Sequence, residues 1–322
     1  MFLYKDISIR HQQTLGVYIL NKIINLYYFA SDNLITHVAY VIYEHPGTED
    51  EMCQFLLSKV GSDLSIATYG DIPQTLKDKE NGISLDKINA MMRTDTLTYI
   101  FSDVLSSHNI EEFCLHLITP IQDGNVMNHN RLDFEPLRQH HIDNFSGHHF
   151  PNSSDYLTKY FDGESFDMVG LLRDDHFIPL HYLFNNKHYL SCIKLLFSFI
   201  DTIAWIDIGE HHNFIKWINN YADLTSLEVY PEELWELRNS LIHMSNLDSQ
   251  KVKQGKVRRI SFAIHKRNSF KTITIGDTTF FNLTDFLFVI EDAMRKWVDT
   301  YNQDQLKIIT FVERYDKIVR NC

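Results

Sequence analysis

Three residues in the C-terminal third of the chain have side chains suited to chemistry on a phosphate. Arg238, Asn239 and His243 belong to the stretch E-L-W-E-L-R-N-S-L-I-H at 233–243. An imidazole exchanges protons near neutral pH, and a guanidinium stays protonated and offers a planar fork to phosphate oxygens. An asparagine amide can orient either group by hydrogen bonding. The three residues therefore predict a site where an anionic phosphate is bound and a proton is moved.

The spacing of apolar residues predicts that a helix carries these side chains. Proline is favoured at the first helical position, so the helix is expected to run from about Pro231 to Asn246. At about 100° per residue, four residues form one narrow apolar stripe that must face a core. They are Leu234, Leu237, Leu241 and Met244. Asn239 and His243 lie one turn apart on the opposite side, with Arg238 on the adjoining edge.

Trp235 and Ile242 fall on the same arc as the polar residues. A solvated helix face rarely carries a tryptophan and an isoleucine beside an arginine, whereas protein interfaces favour this mixture. We therefore expect Trp235 and Ile242 to face a second subunit or another domain, with a polar pocket in the seam. The alternative is that both pack under neighbouring β-strands while Arg238 and His243 lie in water.

The segment closely resembles the signature of the HEPN superfamily (higher eukaryotes and prokaryotes nucleotide-binding domain). In that family an arginine, a polar residue, a short spacer and a histidine lie on a late helix of a four- to five-helix bundle. The resemblance covers about residues 165–322, and it is sharp at Arg238, Asn239 and His243. A β-rich insertion at about 257–283 departs from the minimal bundle.

The resemblance implies metal-independent cleavage of RNA that needs no cofactor, with Arg238, Asn239 and His243 as catalytic residues. The 2′-hydroxyl of the RNA would be the nucleophile, and the products would be a 2′,3′-cyclic phosphate and a 5′-hydroxyl. It also implies a homodimer in which two motifs meet, here through Trp235 and Ile242, and a role as a toxin or phage-defence effector. The alternative within the family is a non-catalytic module for dimerisation or for binding nucleotide or RNA.

A basic segment follows the motif directly. Residues 251–271 contain eight Lys and Arg and no acidic residue, in a chain whose formal net charge is −12. This segment could guide an RNA backbone, or its charges could protect the edges of a soluble hairpin. The expected RNA-binding residues are Lys251, Lys253, Lys256, Arg258, Arg259, Lys266 and Arg267.

Two other groups of polar residues are harder to assign. The loop 129–149 carries five histidines, but it has neither the helical i, i+4 pair nor the H-E-x-x-H motif of a zinc enzyme, so we predict no metal. The five histidines of the loop are His129, His140, His141, His148 and His149.

Asp201 interrupts the apolar run at 195–206 and could orient Arg238, cap a helix or face solvent.

Helical periodicity dominates the rest of the chain and predicts a mainly α fold. We expect a helical N-terminal region at 1–119, with helices at about 11–30 and 33–44 and a capping box at Thr48 and Glu51. An irregular connection rich in His, Asn and Pro should follow at 120–164. A HEPN-like bundle should occupy 165–322, interrupted by a small antiparallel sheet at about 257–283.

Composition narrows the classes of protein. Hydrophobic residues make up 44% of the 322 residues, which is ample for a packed core, and the acidic balance argues against a general nucleic-acid coat protein. Four cysteines without a C-x-x-C pair, no signal-peptide pattern and an apolar run too short for a bilayer favour the cytoplasm and no membrane. The N-terminal region shows no glycine loop or nucleophile motif, so a regulatory partner or ligand is its expected role.

Overall fold

The computed structural model describes residues 21–78, 82–108, 110, 114–127, 155–162, 165–210, 213–244, 247–304 and 306–319. The chain divides into two compact units. The first contains the described residues within 1–85 and 98–134, and the second contains those within 86–97 and 135–322.

The first unit is built on a six-stranded mixed sheet. Its strands are β1 (Asn21–Ser31), β2 (Leu34–His45), β3 (Thr68–Gly70), β4 (Ile83–Ser84), β5 (His116–Gln122) and β6 (Asn125–Val126). The strand order is β3-β2-β1-β5-β6, with β4 also beside β2. β1 and β5 run parallel, and the other neighbouring strands are antiparallel.

The sheet overturns the mainly α fold class and the helical N-terminal region. β1 and β2 occupy most of the two segments expected to be helices at 11–30 and 33–44; residues 11–20 lie outside the described residues. Residues 23–28 of β1 are buried without a break because both faces of this central strand are covered. This stretch is apolar except for Asn25 and shows no alternation of apolar and polar residues, so its periodicity does not distinguish strand from helix.

Helix α1 (Glu49–Asp63) packs on one face of the sheet. The capping box is confirmed: Glu51 N donates to Thr48 Oγ1 at 3.4 Å, and Thr48 N donates to Glu51 Oε2 at 2.8 Å. A 3₁₀ turn over Leu97–Phe101 leads into α3 (Ser102–Ser107). The core between α1 and the sheet consists of Ile23, Tyr27, Ala39, Met52, Leu56, Val60, Leu117 and Ile121.

Strand β5 also differs from expectation. The sequence predicts a helical region up to residue 119 and an irregular connection from residue 120 on. Pro120 instead lies within β5, whose residues 117, 119 and 121 are buried. Most of the predicted connection, including the five histidines of the 129–149 loop, lies outside the described residues.

The second unit is dominated by helices. They are α2 (Leu85–Arg93, from residue 86 on), α4 (Leu157–Tyr160), α5 (Met168–Leu172), α6 (Ile178–Asn185), α7 (Tyr189–Ile208), α8 (Phe214–Tyr221), α9 (Pro231–Asn239), α10 (Gln250–Lys253), α11 (Leu283–Gln303) and α12 (Lys307–Val319). A π-helical turn over Arg173–Phe177 joins α5 to α6. A second one, over Ser240–Met244, continues α9.

A three-stranded sheet lies inside the predicted insertion at 257–283. Its strands are β7 (Arg259–Ala263), β8 (Ile273–Ile275) and β9 (Thr278–Asn282), in the order β7-β9-β8. β8 and β9 form an antiparallel hairpin, but β7 runs parallel to β9, so the expectation of an antiparallel sheet is wrong for this pair. The connection between β7 and β9 is residues 264–277, which include β8 and are long enough to return the chain for parallel pairing.

Helix α7 is the apolar centre of the second unit. It is longer than the run at 195–206, and by length and composition its 20 residues could cross a membrane, although half of its most apolar window is buried inside the chain. It ends at Gly209, whose φ is 78°. The Arg314 guanidinium occupies the place that a Cβ would take there. Glycine is therefore required on two counts at this helix end.

Candidate active site

A cavity of about 580 Å³ lies in the second unit, where α7 and α9 present side chains to it. Its volume falls in the range of small-molecule and nucleotide sites. The residues that line it are Asp201, Trp205, Glu210, Asn213, Phe214, Trp235, Glu236, Arg238, Asn239, His243 and Lys251. All three residues predicted to be catalytic are among them.

Arg238 is the centre of a hydrogen-bonded cluster at this cavity. Its Nε donates to Asp201 Oδ2 at 2.8 Å, and its Nη2 lies 2.6 Å from the same oxygen. Its Nη1 donates to Asn239 Oδ1 at 2.9 Å and contacts His243 Nε2 at 3.0 Å. A guanidinium nitrogen can only donate, so Nε2 is the unprotonated acceptor nitrogen of the imidazole in this arrangement.

The π-helical turn brings Arg238 and His243 together. In an α-helix two residues five positions apart point about 140° away from each other. A π-helix pairs residues i and i+5, and single π-turns are frequent at functional sites. The turn over Ser240–Met244 therefore aligns two side chains that regular α-helical spacing would separate. Sequence reasoning assumed a regular helix and missed this direct contact.

Asp201 comes from α7 and is half-buried, as is Arg238. The sequence left three roles open for Asp201, namely orienting Arg238, capping a helix or facing solvent. In the structure Asp201 contacts Arg238. Burial raises the pKa of Asp201 above its ordinary value, although the hydrogen bond from Arg238 and the charge of Arg238 act in the opposite direction. The buried surroundings therefore disfavour the negative charge of Asp201, and the contact with Arg238 stabilises that charge.

Trp235 lies within the wall of the cavity. Its ring packs against Phe214 with centroids 5.5 Å apart, and the Arg238 guanidinium lies 5.0 Å from its ring centroid. Ile242 is also half-buried. The proposed interface with a second subunit through Trp235 and Ile242 stays a prediction. The core-facing residues Leu234, Leu237 and Leu241 are buried as expected, and the side chain of Met244 lies outside the described residues.

The residues predicted to bind RNA differ in their contacts, and their role in RNA binding stays a prediction. Lys251 lines the cavity and pairs with Glu236 at 3.1 Å. Arg258 holds the start of α9: its guanidinium bonds both carboxylate oxygens of Glu233, at 2.8 and 2.9 Å, and the Glu228 carbonyl. These contacts give Arg258 a structural role that does not require RNA.

The other basic residues fall into two groups. Arg259 pairs with Asp248 at 2.6 Å and with Asp277 at 3.2 Å. The Arg267 guanidinium stacks 3.9 Å from the Phe288 ring centroid at a second cavity of about 440 Å³. Lys253, Lys256 and Lys266 are exposed, and within the described part of the chain they form no ion pair.

Sequence reasoning missed five residues of the cavity wall: Trp205, Glu210, Asn213, Phe214 and Glu236. One signal was present, because Trp205 lies four positions after Asp201 and so shares its helix face. Among the described residues there is no group of three His, Cys, Asp or Glu side chains that could hold a metal ion.

The cavity carries three carboxylates and two cations. Asp201 pairs with Arg238 and Glu236 pairs with Lys251, which leaves Glu210 without an ion pair to any described residue. Comparison of the chain with protein-family models, with curated proteins and with solved structures finds no match in any of the three.

Proposed function

We propose that this cavity binds a phosphodiester linkage of RNA and cleaves it without a metal ion. The observation that carries the proposal is the 3.0 Å contact between Arg238 Nη1 and His243 Nε2 at the cavity surface. It places a permanent cation and a proton-transfer group within reach of one bound phosphate. The resemblance to the HEPN signature supports the same chemistry.

RNA carries its own nucleophile, so the protein has to move protons and stabilise charge. In the proposed reaction, His243 Nε2 takes the proton of the 2′-hydroxyl while O2′ attacks the adjacent phosphorus. The O2′–P bond forms and the P–O5′ bond breaks. The leaving oxygen takes a proton from water, and the resulting hydroxide takes the proton held by His243, which restores the neutral imidazole. The products are a 2′,3′-cyclic phosphate and a 5′-hydroxyl. Arg238 stabilises the negative charge on the phosphate oxygens.

The hydrogen bonds of Arg238 indicate how a phosphate would enter. Two of its partners, Asn239 and His243, are neutral, whereas Asp201 is the anionic partner. A phosphate oxygen can displace the neutral partners from Nη1 while Asp201 continues to hold Nε. This exchange orients the guanidinium and frees the lone pair of His243 Nε2. Asn239 is then free to hydrogen-bond the phosphate or the imidazole.

A binding module without cleavage is the second candidate. It is favoured by the charge of Arg238 already being offset by Asp201 at 2.6 Å. In that case Arg238 and His243 would hold a nucleotide or RNA phosphate without proton transfer. A homodimer, a regulatory partner for the first unit and a role in growth arrest are further proposals, and they rest on the resemblance.

The deciding experiment is incubation of the purified chain with a mixed-sequence RNA in the presence of EDTA. We expect fragments ending in 2′,3′-cyclic phosphate, and their loss in His243→Ala. His181→Ala is the matched control, because His181 is exposed and lies on another helix. Equal cleavage by His243→Ala would reject the mechanism. RNA binding without cleavage by the unaltered chain would favour the binding module.

A further inference from the structure

The aromatic wall of the cavity has no role in the proton transfer proposed above. Trp205, Trp235 and Phe214 all line the same cavity as Arg238 and His243. Phe214 is almost fully buried and packs against Trp235, so these two rings support each other. Trp205 is half-buried, and its ring makes no aromatic or cation–π contact with another described residue. Because Trp205 lines the cavity and is only half-buried, its ring is the one we consider for contact with a ligand.

Helices α7 and α9 each place an aromatic residue beside a charged residue at the cavity. On α7, Asp201 and Trp205 are four residues apart and share one face; on α9, Trp235 and Arg238 are three apart and also share one face. Each helix thus contributes an aromatic ring beside a charged group that belongs to the Arg238 cluster. A ligand whose phosphate reaches Arg238 has the flat surface of Trp205 within the same cavity.

The charge distribution also favours a neutral group on the Trp205 side. Glu210 follows the end of α7, and it is the lining carboxylate that has no ion pair among the described residues. A second phosphate beside Glu210 would be repelled. A nucleobase is uncharged and planar, and its amino groups can donate to a carboxylate. Bases stack on aromatic side chains when they are free of the duplex.

We infer that the cavity holds one unpaired nucleobase against Trp205, so that single-stranded nucleic acid, and not duplex, is the ligand. This inference rests on the proposed function for the position of the adjacent phosphate at Arg238. It extends that function by assigning Trp205 to base binding and by restricting the substrate to loops and unpaired strands, because a paired base cannot enter the cavity.

The test uses a short oligodeoxynucleotide without self-complementarity, which lacks the 2′-hydroxyl and so cannot be cleaved by this route. Its binding is followed by quenching of tryptophan fluorescence, since Trp217 and Trp297 are fully buried and only Trp205 and Trp235 line the cavity. We expect Trp205→Leu to weaken binding about 5-fold to about 100-fold, the range for loss of one base–aromatic stack. Trp205→Tyr keeps a ring and should retain most of the affinity. An abasic chain of the same length and a matched duplex should bind as weakly as the single strand binds to Trp205→Leu.

Three results would overturn the inference: unchanged binding by Trp205→Leu, equal binding of the abasic chain, or equal binding of the duplex. RNA cleavage by the unaltered chain is measured separately. Cleavage combined with Trp205-independent binding would defeat the base site alone. Trp205-dependent binding without cleavage would defeat the proposed nuclease alone.

Discussion

The guanidinium of Arg238 and the imidazole of His243 are in direct contact, with Nη1 and Nε2 3.0 Å apart, although five positions separate the two residues. The π-helical turn after α9 makes this contact possible, and Asp201 fixes the guanidinium from α7. A single side chain thus connects a carboxylate, an amide and an imidazole. The planar shape of that side chain is as important as its charge.

Arg238→Lys tests this requirement for shape. Lysine keeps the positive charge, but one ammonium cannot replace a planar fork that meets Asp201, Asn239 and His243 at once. We expect kcat/KM for RNA cleavage to fall roughly 100-fold or more, the effect of removing a donor that stabilises the transition state. Arg295→Lys is the control, since Arg295 is exposed and lies outside this cavity. A wild-type rate for Arg238→Lys would show that charge alone suffices.

Lys253 and Lys256 provide a test of the basic segment. Like Lys266, both are exposed and without an ion pair in the described part of the chain, so their charges are available to an RNA backbone. For each phosphate that Lys253→Gln/Lys256→Gln can no longer neutralise, the slope of log affinity against log salt should become shallower by about 0.7. The slope is measured by fluorescence anisotropy with a 2′-O-methyl RNA.

Arg259→Gln is the matched control for the basic segment, because Asp248 and Asp277 already compensate the charge of Arg259. Its slope should equal that of the unaltered chain. If the double lysine variant also kept the wild-type slope, the charges of this segment would serve the solubility of the small sheet and not RNA binding.

The wrong prediction for the first unit has a physical origin. β1 and β2 are rich in β-branched and aromatic residues, which favour strands, but the spacing of their apolar residues also fits a helix. Asp32 and Asn33, both with positive φ, form the two-residue turn between them. An Asp-Asn pair between two apolar runs is a hairpin signal, so the first two strands could be predicted from the sequence. The pairing of β1 with β5, some 90 residues later, has no local signal.

The candidate site was predictable in part. Arg238, Asn239 and His243 are identifiable by type and spacing, and Asp201 by its position in an apolar helix. The contact between Arg238 and His243 depends on a π-turn, and no pattern of residue types in S-L-I-H-M specifies one. Arg258 pairs with Glu233, and Arg259 pairs with Asp248 and Asp277. The positions of these residues in the sequence do not predict the ion pairs. Ion pairs formed in the folded chain therefore determine the roles of these two arginines, and the local composition does not reveal those roles.

The buried ion pair between Arg93 and Asp155 should be essential for the stability of the second unit. Arg93 Nη2 lies 2.7 Å from Asp155 Oδ1, its Nε donates to Oδ2 at 3.2 Å, and it also bonds Asp316. Both Arg93 and Asp155 have almost fully buried side chains. Asp155→Ala would leave a buried guanidinium without half of its compensation. We expect a loss of about 3–5 kcal/mol in the free energy of unfolding by urea.

Lys317→Ala is the control for this prediction. Lys317 is exposed, and its nitrogen lies 3.8 Å from Asp86 and 3.5 Å from Glu313. Exposed pairs of this kind contribute about 1 kcal/mol or less. A similarly small effect of Asp155→Ala would mean that Asp316 alone compensates Arg93.

His176 should make the second unit sensitive to mild acid. Its ring packs against Phe199 with centroids 4.6 Å apart, and its Nε2 is buried without a hydrogen-bond partner among the described residues. Burial lowers the pKa of His176 below its ordinary value of 6.5, with Asp175 acting in the opposite direction. The folded chain therefore binds fewer protons at this residue than the unfolded chain. The stability that His176 contributes is fully present above the unfolded pKa and declines as pH falls toward the folded pKa.

His176→Phe should remove that decline, because phenylalanine fills a similar space and does not titrate. We expect the free energy of unfolding of the unaltered chain to fall relative to the variant as pH decreases below about 6.5. The measurement is urea unfolding at a series of pH values. His188→Phe, at an exposed histidine, should keep the wild-type pH dependence. Parallel pH profiles for the unaltered chain and His176→Phe would show that the buried imidazole is protonated as readily in the folded chain as in the unfolded one.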